Sequence, residues 1–210
     1  WGGTDKIYNF SDPAGYRINH LRRLFDLLGI HQAFFVGSSA GGGTILRAAV
    51  LEPPPFQIRK MVTICGNASV FKTNSQADLD NYAPSLENMK KIVTLLYHDS
   101  KWQTEQNIRE RYDSSIIPGA WEALSAARLR SPVHQTRSTT DAFVKKLSQL
   151  RIPLLIMSCE HDPLNQKDWD IQFQKIVPGS EVHRFVNSSH EPQIEETEEF
   201  NRVLVKFLEA

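Results

Sequence analysis

The stretch Val36-Gly37-Ser38-Ser39-Ala40-Gly41-Gly42 limits the folds open to this chain more than any other, because it sets a Gly-x-Ser-x-Gly pattern between two apolar runs. The bare pattern recurs by chance in roughly one chain in fifteen of this length, so its flanks must carry the argument. Upstream, Gln32 to Val36 reads as a buried strand; downstream, Gly43 to Leu51 reads as a helix. A serine hydroxyl is a poor nucleophile at neutral pH. It becomes useful on a tight strand-to-helix turn, exposed beside a base and near backbone N–H donors. Gly37 and Gly41 are small enough to permit such a turn. Ser39 is therefore the candidate nucleophile, and the Ala40 N–H is the candidate oxyanion donor. The competing reading is a glycine-rich turn with a spectator serine.

The rest of the chain alternates strands and helices. A helix is expected from Pro13, with Ile18, Leu21, Leu24, Phe25 and Leu28 at helical spacing and Gly29 to end it. Met61 to Cys65 reads as a second buried strand, parallel to the first through a right-handed crossover. Strand signals then lapse until about Thr139, and helical stretches are expected over Leu86–Tyr97, Thr104–Tyr112 and Ala120–Leu129. The sheet resumes with Pro153 to Met157, a helix from Trp169 to Val177, and a last strand from Glu181 to Val186. A terminal helix follows, with Phe200, Val203, Leu204, Phe207 and Leu208 on one face. Its first turns hold Glu195, Glu196, Glu198 and Glu199, where acidic groups suit the positive end of the helix dipole. The expectation is an α/β fold with a mostly parallel sheet. It divides into core over 1–67, helical cap over 68–138 and core again over 139–210.

Composition excludes several classes. Twenty-four basic residues balance twenty-four acidic ones, so no net field favours nucleic acid or an anionic membrane. A small-molecule substrate is expected, and self-association is compatible with it. No apolar run approaches the ~20 residues that span a bilayer. Cys65 and Cys159, the only cysteines, each end an apolar run and read as buried thiols, which suits a reducing, cytoplasmic setting. No helix carries a His or carboxylate pair at ligand spacing, so neither metal nor cofactor is expected.

A nucleophilic serine needs a base, and the base an orienting acid, from loops at the carboxyl ends of strands. Two loops qualify: Cys159-Glu160-His161-Asp162-Pro163-Leu164 and Asn187-Ser188-Ser189-His190-Glu191-Pro192. Ser39, Asp162 and His190 follow the chain order of serine, acid and histidine that this turn type uses. His161 is the rival base and Glu160 the rival acid. His161 adjoins Asp162 too closely along the chain to be oriented by it easily, and Pro163 after Asp162 fits a fixed turn. His20, His31, His98, His134 and His183 are left as surface or packing residues.

At these residues the chain resembles the α/β-hydrolase superfamily, and within it the meta-cleavage-product carbon-carbon hydrolases. Gly37-Ser38-Ser39-Ala40-Gly41-Gly42 is similar to their elbow, and the cap phrases around Leu86-Glu87-Asn88-Met89, Leu96-Tyr97-His98-Asp99 and Ile108-Arg109-Glu110-Arg111-Tyr112 are similar to theirs. The resemblance implies that Arg111 holds a substrate carboxylate; a surface ion pair is the alternative for it. It also implies that Ser38 and Glu191 line the substrate pocket, where the family usually has Asn and Trp. The implied reaction is hydrolysis of a carbon-carbon bond in a vinylogous diketone dienoate, in aromatic degradation. A carboxylesterase or lactonase with a cap is one alternative, and a non-catalytic ligand-binding homologue another. In this superfamily the elbow strand lies mid-sheet. The strands for its other edge, and the loop carrying a second oxyanion donor, are not found. The expectation is that residues 1–210 are part of a longer chain.

Overall fold

The computed structural model describes residues 5–8, 12–71, 73–126 and 141–210. Helix α1 (Pro13–Leu28) opens with the Asp12 carboxylate accepting from the Gly15 N–H at 2.9 Å, and closes on Gly29 in the left-handed region at φ 65°. Strand β1 (Gln32–Ser38) leads into α2 (Ala40–Ala49), then β2 (Gln57–Ile64). The helical region follows with α3 (Gln76–Asp80), α4 (Leu86–Leu96), a 3₁₀ turn (Ser100–Trp102), α5 (Glu105–Ser115) and α6 (Ala120–Ala126). Of the helix expected over Ala120–Leu129, the last three residues lie outside the described ones. Helix α7 (Asp141–Ser148), not anticipated from the sequence, precedes β3 (Leu154–Cys159), α8 (Trp169–Ile176) and β4 (Glu181–Phe185). The expected terminal helix is two, α9 (Pro192–Glu195) and α10 (Thr197–Glu209).

The four strands pair in parallel in the order β1-β2-β3-β4. Side chains alternate across the sheet, and both faces are covered at Met61–Ile64 of β2 and along β3, which is why those stretches read as apolar runs. Met61, Leu154 and Ile156 face a cluster with Ile45 and Leu46 of α2, Leu147 of α7 and Phe173 of α8. Val62, Leu155 and Met157 face Phe200 and Phe207 of α10, with Val203, Leu204 and Leu208 packed around them. Phe25 of α1 sits 5.6 Å from Phe35 of β1, and Phe56 stacks on Phe35 at 4.7 Å.

Two expectations need correction. Strand β1 is not buried on both faces: Phe34 and Val36 are 39% and 44% exposed, because α10 covers β2 and β3 and not β1. Among the described residues β1 pairs only with β2. In α1, Ile18 and Phe25 face inward, but Leu24 and Leu28 are exposed, so the buried stripe is narrower than the apolar spacing suggests.

The helical region has its own small core. Met89, Val93 and Leu96 of α4 pack with Tyr82, Tyr97 and Ile108, and with Leu164 from the loop after β3. Ser85 and Thr104 cap α4 and α5 by accepting the N–H groups of Asn88 and Asn107.

Candidate active site

Ser39 sits at the break between β1 and α2 with φ 49° and ψ −112°, a conformation that costs a non-glycine residue free energy. Its N–H donates to the Ile64 carbonyl at 2.7 Å, and its carbonyl accepts from the Gly43 N–H at 3.0 Å, so strand and helix hold the turn from both sides. The glycines that permit this approach are Gly37 and Gly42. A Cβ on Gly37 would fall 2.6 Å from the backbone of Gly41 and Gly42, and one on Gly42 would strike the Thr63 hydroxyl. Gly41, which the pattern singled out, has open space where a Cβ would stand. The steric demand thus lies one residue further on than expected.

The candidate base and acid come from the exits of β4 and β3. His190 Nδ1 and Asp162 Oδ2 are 3.0 Å apart, and both side chains are almost wholly buried. Asp162 is held further by the Leu164 N–H at 2.9 Å and the Asn165 amide at 2.7 Å. Asn165 in turn donates to the Cys65 carbonyl at 3.0 Å and accepts from the Asn67 amide at 2.6 Å, tying the acid loop to the exit of β2. Burial opposes ionisation of Asp162, but the His190 bond and charge and the two amide donors outweigh it and hold its pKa below the ordinary carboxylate value. Burial also opposes a charged His190, yet the Asp162 hydrogen bond and charge, with Glu191 adding, raise its pKa. Nε2 of His190 is buried and has no hydrogen-bond partner among the described residues. Ser39 and His190 line one cavity of about 230 Å³, together with Ala40, Asn67, Leu164 and Asn165.

The rivals are engaged elsewhere. Glu160 pairs with Arg184 at 3.3 Å on the surface. The exposed His161 ring stacks face to face on His98, with centroids 3.6 Å apart. His183 meets Glu199 at 3.3 Å, His20 and His31 are exposed, and His134 lies outside the described residues. Cys65 and Cys159 are free, buried thiols with their sulfurs 3.5 Å apart.

The helical region is stitched to the histidine loop in a way the sequence did not signal. The C-terminal carbonyls of α4 have no partners within the helix. Leu95 accepts from the Ser189 hydroxyl at 2.8 Å, and Leu96 from the His190 N–H at 3.0 Å. Glu195 completes the seam. One carboxylate oxygen accepts the N–H groups of His98 and Asp99, each at 2.8 Å, and the other accepts that of Ser189 at 2.7 Å. Glu196 likewise accepts from the Asn187 N–H at 3.0 Å and the Ser188 hydroxyl at 2.6 Å. Glu195 and Glu196 therefore fix loops; only Glu198 and Glu199 occupy the first turn of α10.

Three other expected site residues, Ser38, Arg111 and Glu191, do not line the cavity shared by Ser39 and His190. Arg111 is half-buried within the helical region, donating to Tyr97 and to Asn107, and it lines a separate cavity of about 670 Å³ with Tyr82, Met89 and Trp121. It forms no ion pair among the described residues, so the surface-pair alternative finds no partner there. Glu191 is half-buried and accepts from the Gln193 amide in its own turn. Ser38 is the half-buried last residue of β1.

Comparison with known proteins bears on this arrangement. The profile of the Alpha/beta hydrolase family matches residues 2–203. A 2-hydroxymuconate semialdehyde hydrolase of Pseudomonas putida is 27% identical over 194 residues, spanning 91% of this chain and 67% of that protein. A 2-hydroxy-6-oxononadienedioate/2-hydroxy-6-oxononatrienedioate hydrolase of the same species is 25% identical, over 100% of this chain and 74% of its own. Among solved structures, a meta-cleavage product hydrolase of Pseudomonas fluorescens superposes with a TM-score of 0.86 at 26% identity, covering 100% of this chain and 76% of that one.

Proposed function

Since this chain belongs to the alpha/beta hydrolase family, we propose that it hydrolyses a carbon-carbon bond in a meta-cleavage product, a vinylogous diketone dienoate, using Ser39, His190 and Asp162. Ser39 Oγ attacks the carbonyl while His190 Nε2 takes its proton. The Ala40 N–H, first in α2, donates to the oxyanion that forms. Cleavage leaves an acyl group on Ser39, and His190 returns its proton to the departing carbon. A water molecule, deprotonated by His190, then releases the acid and restores the serine. Asp162 keeps Nδ1–H as the donor to itself, which leaves Nε2 free to accept, and steadies the imidazolium. The choice of substrate rests on the relatives, which are named for hydrolases of such compounds.

The single observation that carries the assignment of roles is the unpartnered, buried Nε2 of His190. His190 lines the same cavity as a serine held at positive φ, and its Nδ1 lies 3.0 Å from Asp162. The position of Arg111 in another cavity gives a capped carboxylesterase or lactonase its footing as the second reading. A serine-directed phosphonate tests the roles. Labelling is expected at Ser39 and should vanish in His190→Ala; labelling elsewhere, or none in the folded protein, refutes the assignment.

A further inference from the structure

Beside Asp162 and His190 stands Cys65, a buried thiol that the hydrolysis above does not use. Ligand atoms of Cys65, Asp162 and His190 all lie within 4.8 Å of one another, and all three residues are buried. They come from the exits of three successive strands, β2, β3 and β4, so no spacing along the sequence announces them. We propose that Cys65, Asp162 and His190 form a binding site for a thiophilic divalent cation such as zinc, and that occupancy withdraws His190 and Asp162 from catalysis. The effect on turnover rests on the hydrolase reading above; the binding does not.

Geometry, charge and donor type agree. Nδ1 and Oδ2 stand 3.0 Å apart, close to the roughly 3.3 Å edge of a tetrahedron whose bonds are about 2.0 Å long. The ion would take the place of the proton they share. With the three ligand atoms within 4.8 Å of one another, the Cys65 sulfur has to move inward to reach a tetrahedral edge. On binding, the thiol gives up its proton to solvent, and the Nδ1 proton is lost from the shared position while Nε2 becomes the protonated nitrogen. Two anionic ligands and a neutral imidazole cancel a dication, so the buried site carries no net charge, which is the condition for holding ions away from water. A thiolate with an imidazole selects zinc-like ions over magnesium or calcium, which need more oxygen ligands than the cluster offers. The cavity lined by Ser39 is also lined by Cys65 and His190, which gives an entry path.

The test uses the full chain, stripped of metal, with cobalt(II) as a spectroscopic probe and zinc(II) as the inhibitor. Cobalt should produce a thiolate-to-metal charge-transfer band in the near ultraviolet. Zinc should suppress nitrophenyl ester hydrolysis, and a chelator should restore it. Cys65→Ser should abolish the band and raise the zinc concentration for half-inhibition, measured against its own metal-free rate, by about a hundred-fold. Cys159→Ser should retain both responses. No band in the wild type, inhibition that persists in Cys65→Ser, or loss of the band in Cys159→Ser overturns the proposal. If Cys65→Ser does not fold, zinc protection of Cys65 from alkylation in the wild type, mapped by mass spectrometry, decides in its place. A band without inhibition would keep the site and sink the catalytic reading of Asp162 and His190 instead.

Discussion

Replacement of Glu195 isolates what the seam between the helical region and the histidine loop contributes. The half-buried carboxylate accepts three backbone N–H groups, from His98, Asp99 and Ser189, at 2.7 to 2.8 Å. A hydrogen bond to a charged acceptor contributes about 1.5–3 kcal/mol, and partial exposure argues for the low end. Water can reach some of the freed donors in Glu195→Ala, so the expected loss is about 3 kcal/mol, not the full sum of three bonds. Glu195→Gln is the sharper variant. Its amide oxygen can keep the His98 and Asp99 donors, but its NH₂ then faces the Ser189 N–H, donor against donor, at an expected cost of about 1.5 kcal/mol. With a urea slope of about 2 kcal/mol per molar, the unfolding midpoint should fall by about 1.5 M for Ala and by about half that for Gln. Ser189 adjoins His190, so kcat on a nitrophenyl ester should drop about ten-fold in Glu195→Ala with little change in KM, as for a misplaced base. A midpoint within 0.2 M of wild type in urea, or a change confined to KM, would refute the account of the seam.

Ser39→Ala should lower kcat by about 10⁴-fold or more while leaving ligand binding measurable by calorimetry; retention of a few per cent of activity would point to another nucleophile. The raised pKa of His190 requires the acid limb of kcat/KM to lie above about 6.5, since the base acts only when neutral. Asp162→Asn should move that limb downward and cut kcat by about 10³- to 10⁴-fold, which a pH-rate profile reads directly. The two groups bear on stability in opposite directions. Asp162, with its depressed pKa, contributes above the unfolded carboxylate range and loses that contribution as pH falls through its folded pKa. His190 contributes below the unfolded imidazole value and loses it as pH rises through its own raised pKa. Arg111→Leu should cost about 2–4 kcal/mol in kcat/KM on a dienoate, and almost nothing on an uncharged aryl ester, if the guanidinium holds a substrate carboxylate. Equal effects on the two substrates, followed by bleaching of the dienoate and release of nitrophenolate, would remove that role and favour the esterase reading.

The elements legible in the sequence were those whose signal is local. Met61 to Cys65 and Pro153 to Met157 advertised buried parallel strands because both faces of the sheet are covered there. The same logic misled at Phe34 and Val36, where the apolar run continues but no helix among the described residues covers that face. Helix α7 went unnoticed because it is short: its eight residues make barely two turns, too few for Phe143, Val144 and Leu147 to set up a helical period. Only Leu147 is fully buried, and the helix is recognisable by what it packs against.

The sequence alone determined the chain order of the candidate serine, acid and histidine and the turn that carries Ser39, because steric demands at Gly37 and the apolar flanks of a strand-to-helix junction are written in neighbouring residues. Tertiary structure decided which of two adjacent loop residues faces inward. Asp162 turns to His190, while His161 turns out to stack on His98. It also decided that Glu195 and the carbonyl ends of α4 hold the histidine loop, that Asn165 bridges the acid to Cys65, and that Cys65 stands beside Asp162 and His190. Most of these contacts join residues far apart along the chain, 28 positions for Asp162 and His190 and 100 for Asn165 and Cys65, and several satisfy backbone groups that every sequence possesses, so residue type and spacing do not mark them before the strands are set side by side.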